Sequence, residues 1–230
     1  MKPLSIFLRN TLLAAGLAFA SHPALAVDPE PPAPTAAPWP APPVLGRPTA
    51  DEFQRLEAGE IIVREARADE AGGGALSFAV FHVDIALLWD TIGDCAANRR
   101  FVRGLRECRV EERGAGRALT HQRLKPYALM PALDYRFETV RNPYDWIRIR
   151  LVGGDLRALE GAWRFEALHG GDAWLVVHEV HVQPLLPVPR WLARRTVRRD
   201  VGDLLACLRW ETRGWPDPRQ RGQDRERCPE

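Results

Sequence analysis

Residues 187–210 read PVPRWLARRTVRRDVGDLLACLRW. Two prolines open the stretch, and Pro189 suits the first turn of a helix, where no backbone donor is needed. At 3.6 residues per turn, Ala193, Val197, Val201, Leu204, Leu205 and Leu208 fall on one stripe, with Arg195, Arg198, Arg199 and Arg209 on the other side. Burying the five larger side chains of that stripe is worth roughly 1.5–3 kcal/mol each before entropy is subtracted. Gly202 costs about 1 kcal/mol against alanine, which points to a bend or a close approach. Such a helix needs an apolar surface to lie on.

The preceding chain can supply one. Residues 60–68 and 75–83 read as strands of a hairpin around Gly72-Gly73-Gly74. Both faces of the second strand, ALSFAVFHV, carry apolar side chains, so its buried face stays open. Short helices are expected at 51–58, at 86–92 with Leu88 and Trp89 as anchors, and at 96–102 with Asp94 as cap. Strands follow at 106–113, 118–125, 133–140, 146–152, 158–168 and 174–182, divided by glycine-rich or Asn-Pro turns. Several alternate with period two: Tyr135 and Phe137 oppose Arg136 and Glu138, and Ile147, Ile149 and Leu151 oppose Arg148 and Arg150. Trp163 and Phe165 oppose Arg164 and Glu166, and Val176, Val180 and Val182 share a face with His178. Neighbouring strands joined by short turns form a curved antiparallel sheet. One long helix covering its apolar side makes an α+β helix-grip fold.

A space between sheet and helix would be lined by Tyr135, Phe137, Ile147, Ile149, Trp163, Phe165, Val176 and His178 from the strands, and by Val197, Val201, Leu204 and Leu208 from the helix. A solid core would use the same residue types. Gly161 and Gly202, lacking side chains, would leave room.

The rest of the chain sets the context. Residues 1–26 carry the marks of a secretory signal: Lys2 and Arg9, an apolar run at 11–20 too short to span a bilayer, and Ala24-Leu25-Ala26. Cleavage before Val27 and a periplasmic or secreted location are expected, with a retained anchor helix as the alternative. Residues 27–50 are proline-rich and favour an extended spacer. The domain is expected at 51–213, followed by a polar tail at 214–230. The whole chain carries a net charge of +2, and removal of residues 1–26 leaves zero. That balance argues against a general nucleic-acid binder. The arginine face of the last helix reads as solvated or as a contact for an anionic membrane surface. Cys95, Cys108, Cys207 and Cys228 allow three complete pairings. Sequence proximity points to Cys95–Cys108 and Cys207–Cys228, with buried free thiols as the alternative.

Few residues suggest catalysis. Ser77, the one serine after Ala26, lacks a G-x-S-x-G setting. His178 and His181 lie three apart on a strand, so they point to opposite faces and cannot share a metal. No metal or other cofactor is expected. His178 and Tyr135 are the weak catalytic candidates: each is a polar group for a ligand or an acid/base, or else an ordinary wall or core residue.

The stretch GGDLRALEGAWRFEAL (residues 153–168), the Pro-Arg-Trp-Leu…Arg-Arg…Arg-Asp pattern of residues 189–200, and Leu88-Trp89-Asp90 resemble the polyketide cyclase/dehydrase and coenzyme Q-binding START-like proteins of the SRPBCC superfamily. The resemblance covers about residues 59–212. It implies a helix-grip barrel around a deep apolar cavity for lipids, quinones or polyketide-like molecules. The chain departs from the pattern at 95–101, where relatives carry an aromatic-proline-tryptophan stretch near the cavity mouth. Three functions are then open: an exported binder or carrier of a hydrophobic small molecule, a cyclase or dehydrase-type enzyme on the same fold, or an interaction module whose cavity is filled.

Overall fold

A computed structural model describes residues 40–42, 46–67, 71–114, 116–125, 131–215 and 221–229. The expected signal segment, 1–26, lies outside the described residues. The elements are α1 (Ala50–Glu57), β1 (Ile62–Glu65), β2 (Gly73–Phe81), α2 (Ile85–Gly93), a 3-10 turn at Ala97–Arg100, β3 (Leu105–Gly114), β4 (Arg117–Leu124), β5 (Leu133–Asn142), β6 (Trp146–Gly154), β7 (Leu156–Leu168), β8 (Ala173–Pro184), α3 (Arg190–Thr212) and α4 (Arg221–Glu226).

Side-chain caps start α1 and α2. Thr49 and Glu52 form a reciprocal capping box on α1: the Glu52 N–H donates to Thr49 Oγ1 at 3.3 Å, and the Thr49 N–H to Glu52 Oε2 at 2.7 Å. Asp84 caps α2 by accepting from the Ala86 N–H at 2.7 Å. Asp94 accepts from the Ala96 N–H at 2.9 Å, but the segment it caps is one 3-10 turn rather than the α-helix expected at 96–102.

The eight strands form one sheet in the order β1-β2-β8-β7-β6-β5-β4-β3. All neighbours are antiparallel. The α2 segment carries the chain from β2 to β3 at the far edge of the sheet. The later strands then return by hairpins until β8 pairs with β2. Register shifts between Arg136 and Phe137, and between Leu156 and Ala158, bend the sheet. Together with α3 this is the expected α+β helix-grip architecture.

The open question of which face of β2 is buried has a simple answer. Ala79 and Phe81 join the core beneath α2 and α3, while Phe78 and Val80 join a second core with Leu56 of α1. Both faces are covered, so neither could alternate with polar residues. Gly73 and Gly74 are strand residues of β2 rather than turn residues. A Cβ on Gly73 would stand 2.6 Å from the Ala193 carbonyl oxygen, so its absence lets α3 cross the strand closely.

The end of the domain lies beyond the expected boundary at 213. Both disulfides, Cys95–Cys108 and Cys207–Cys228, are present, with Cα separations of 5.4 and 5.1 Å. The second ties the segment after α4 to α3. Arg209, expected on the solvent side, is buried and grips buried Asp224 of α4 in a bidentate pair at 2.7 and 3.0 Å. The Trp215 indole N–H donates to the same carboxylate at 2.7 Å. Gly202 faces this tail and not the cavity: a Cβ there would stand 2.7 Å from Arg227 Nη2. Arg227 in turn donates to Asp203 at 2.9 Å. The proline-rich spacer also touches the domain at its described end, where the Pro40 carbonyl accepts from Arg148 Nη1 at 2.8 Å.

Candidate functional site

The apolar stripe of α3 does two different jobs along its length. In its C-terminal half, Leu205 and Leu208 are fully buried in a solid core with Phe81, Leu88 and Trp89. From its first turn to just past its midpoint, Leu192, Val197, Val201 and Leu204 face a cavity of about 810 Å³ between the helix and the concave side of the sheet. α3 makes its close backbone approach to β2 and β1. The gap opens where β3 to β8 curve beneath the rest of it.

Among the candidates, Tyr135, Phe137, Ile147, Ile149, Trp163 and His178 of the sheet and Val197, Val201 and Leu204 of the helix line the cavity. Phe165, Val176 and Leu208 do not. Phe165 and Val176 are cross-strand partners one same-face row beyond Trp163 and His178. At that row α2 already covers the sheet, with the Trp89 and Phe165 rings 5.6 Å apart. The alternation of β7 and β8 places these side chains on the right face, but the position of α2 decides that they pack solidly.

Further lining comes from residues outside the candidate set, among them Thr120 and Gln122 of β4, Leu156 of β7 and Val180 of β8. Thr120 and Gln122 lie directly across from Phe137 and Tyr135. Their i, i+2 spacing is visible in the sequence, although their polarity argues against an inward face. Arg113 and Arg141 also line the cavity, at the end nearest α2.

Tyr135 and His178 are the polar candidates inside. Tyr135 donates its hydroxyl proton to Gln122 Oε1 at 2.9 Å, and burial pushes its pKa up. His178 stacks on Trp163 with ring centroids 3.9 Å apart. Its Nδ1 is buried without a hydrogen-bond partner among the described residues. Burial lowers the His178 pKa from 6.5 to about 3, so the ring is neutral at pH 7 and a weak base. His181 lies outside the cavity lining, buried toward the other side of β8. Cys95, bonded to Cys108 of β3, places the divergent 95–101 segment at the cavity wall. No cluster of metal-ligating side chains occurs among the described residues.

Solved structures share this fold. A STAR-related lipid transfer protein of Xanthomonas axonopodis superposes with a TM-score of 0.56 at 16% identity, over 66% of this chain and 93% of that one. A START superfamily protein of Mycobacterium smegmatis gives 0.52 at 14% identity, over 62% and 98%. A protein of Thermus thermophilus gives 0.52 at 16%, over 59% and 93%. At these identities the likeness is one of fold. No curated protein matches at the level of sequence. The family model described as polyketide cyclase/dehydrase and lipid transport matches residues 82–209, which run from the end of β2 through the cavity-forming strands and most of α3. More than half of the chain is covered, and the matched segment holds the residues that build the cavity: the chain belongs to the polyketide cyclase/dehydrase and lipid transport family.

Proposed function

We propose that the protein is an exported binder or carrier of a hydrophobic small molecule, held between α3 and the sheet. The observation that carries this reading is the cavity itself: about 810 Å³, with a mostly apolar wall of aromatic and aliphatic side chains interrupted by polar and charged ones. This falls within the range of small-molecule sites, roughly 300–1,000 Å³. The alternative, a cyclase-type enzyme, needs a group poised to move a proton near neutral pH. The lowered pKa of His178 and the raised pKa of Tyr135 weigh against it.

The test is Val201→Trp, which places an indole into the space beneath α3. Equilibrium binding of the neutral fluorophore N-phenyl-1-naphthylamine is expected to weaken by about tenfold or more, since the indole occupies the ligand's volume. The melting temperature should stay within a few degrees. In a packed core the same substitution would cost about 1–3 kcal/mol or more. A destabilised variant, together with a parent protein that binds no probe, would reject the reading.

Export rests on the sequence of residues 1–26 and accords with the two disulfides. N-terminal sequencing of protein recovered from a periplasmic fraction is expected to begin at Val27; a start at Met1 would count against cleavage.

The start of α3 supports a membrane-facing role. Leu185, Leu186 and Trp191 are exposed around the start of α3, Trp191 by 67%. Pro184, Val188 and Leu192 of the same stretch line the cavity. Arg190, Arg194, Arg195 and Arg198 lie in the first turns of α3, next to this apolar stretch in the chain. Aromatic and leucine side chains next to arginine suit the interface of an anionic bilayer, where ligand would enter or leave.

A further inference from the structure

We infer that the ligand is an amphiphile with an acidic headgroup, a carboxylate or a phosphate, received by Arg141 and Arg113 at the α2 end of the cavity. The inference rests on the cavity being a ligand site, as proposed above.

Following the sheet register, Arg141 of β5 lies across from Ile147, Ile147 from Trp163, and Trp163 from His178. Antiparallel partners share a face, so Arg141 ends the inward row that crosses the cavity floor. Arg113 belongs to the next inward row, across from Ala118, which in turn faces Thr139. Both arginines line the cavity.

The electrostatics of this corner are unbalanced. Arg141 Nε is buried with no hydrogen-bond partner among the described residues. No carboxylate lies within ion-pair distance of Arg141 or Arg113 among the described residues. Burial lowers the Arg141 pKa from its ordinary value, the like charge of Arg113 adds to that, and Asp90 opposes it from a distance. Other arginines at the cavity are answered: Arg117 pairs with Glu138 at 3.5 Å, Arg199 with Asp200 at 2.8 Å, and Arg103 with Asp203 at 3.2 Å. Arg195 is exposed on α3.

The corner is also shaped for the guanidinium. A Cβ on Gly93 would collide with Arg141 Nη1, so the last residue of α2 leaves space for that group. Trp89 lies beneath it, with Cζ 6.0 Å from the ring centroid. The C-terminal end of α2 and the ring face favour a cation here. Neither satisfies its planar fork of donors, which matches an oxyanion. Away from this corner the wall passes to the cluster of Leu133, Tyr135, Phe137, Leu156 and Leu159. A free anion would leave that wall empty, whereas an acid with an apolar chain would cover both.

The test measures displacement of N-phenyl-1-naphthylamine from the full chain by hexadecanoic acid, hexadecyl phosphate and hexadecanol. At least one acid is expected to bind about tenfold or more tightly than the alcohol, as suits a charge-assisted hydrogen bond to a half-buried guanidinium. Which acid wins identifies the headgroup. Arg141→Gln should remove that preference while leaving hexadecanol affinity within about twofold, and Arg141→Lys should keep part of it. Arg113→Gln, an exposed change that threatens folding least, should reduce the preference by a smaller factor. Equal affinity of acids and alcohol in the parent, or a preference untouched by both glutamine variants, overturns the inference while the cavity reading stands. Failure of all three compounds and of the fluorophore to bind overturns both.

Discussion

Asp224→Ala is expected to cost about 3–5 kcal/mol of stability, although Asp224 lies outside the segment matched by the family model. The Arg209 side chain is 3% exposed and would keep its charge. It would lose both bonds to Asp224 and retain the Gly59 carbonyl, to which Nη1 donates at 2.9 Å. The Trp215 indole N–H would lose its bond to the same carboxylate in that step. The penalty comes from the stranded cation, so removing the whole pair should behave differently. Arg209→Met with Asp224→Leu is expected to recover only part of the loss, because it removes the stranded cation but leaves the Trp215 N–H and the Gly59 carbonyl without these partners. Urea and thermal unfolding of the three proteins check this, with the single variant melting roughly 10 °C lower. A loss below about 1 kcal/mol for Asp224→Ala would mean that the pair is solvated in solution.

A second large effect is expected in mild acid. The folded-state pKa of His178 is about 3 against 6.5 for the free side chain, because burial disfavours its charged form. Between those values the unfolded chain holds a proton that the folded chain does not. Stability from this source is therefore full above pH 6.5 and falls as the pH drops toward 3, by about 1.4 kcal/mol per unit. Between pH 6.5 and 4.5 the loss amounts to roughly 2–3 kcal/mol. His178→Leu should flatten the curve over that range by the same amount. The variant also removes the unpartnered Nδ1, so its stability at pH 7 should not fall greatly. His82, whose pKa burial also lowers, is common to both proteins and cancels in the comparison. Identical slopes in the two proteins would show that the His178 ring reaches water or finds a partner in solution.

The cavity and the tail show where reading the chain succeeds and where it stops. Period-two alternation assigned Tyr135, Phe137, Ile147, Ile149, Trp163 and His178 to the inward face, and they line the cavity. The same alternation runs on unbroken through Phe165 and Val176, which are solid core. Periodicity reports which face a side chain takes, and it carries no information about what lies above that face. Thr120 and Gln122 have the right spacing but the wrong polarity, and they face inward because Gln122 answers the Tyr135 hydroxyl. Arg141 continues the i, i+2 series from Tyr135 through Phe137 and Thr139, one residue beyond the strand end expected at 140.

What the sequence determined by itself is local and periodic. It specified the long helix, the run of hairpin-linked strands and the helix-grip arrangement that these require, and nearness along the chain pointed to the two disulfide pairs while leaving free thiols open. Tertiary structure alone decided the rest. Arg209 sits on the polar side of α3 by its period, and only the docking of α4 turns that side into a buried interface. One apolar stripe on α3 becomes cavity wall toward its start and packed core toward its end, because Leu88 and Trp89 of α2 meet only the later part of it. Burial depends on which elements come to rest against each other, and that depends on contacts between residues far apart in the chain.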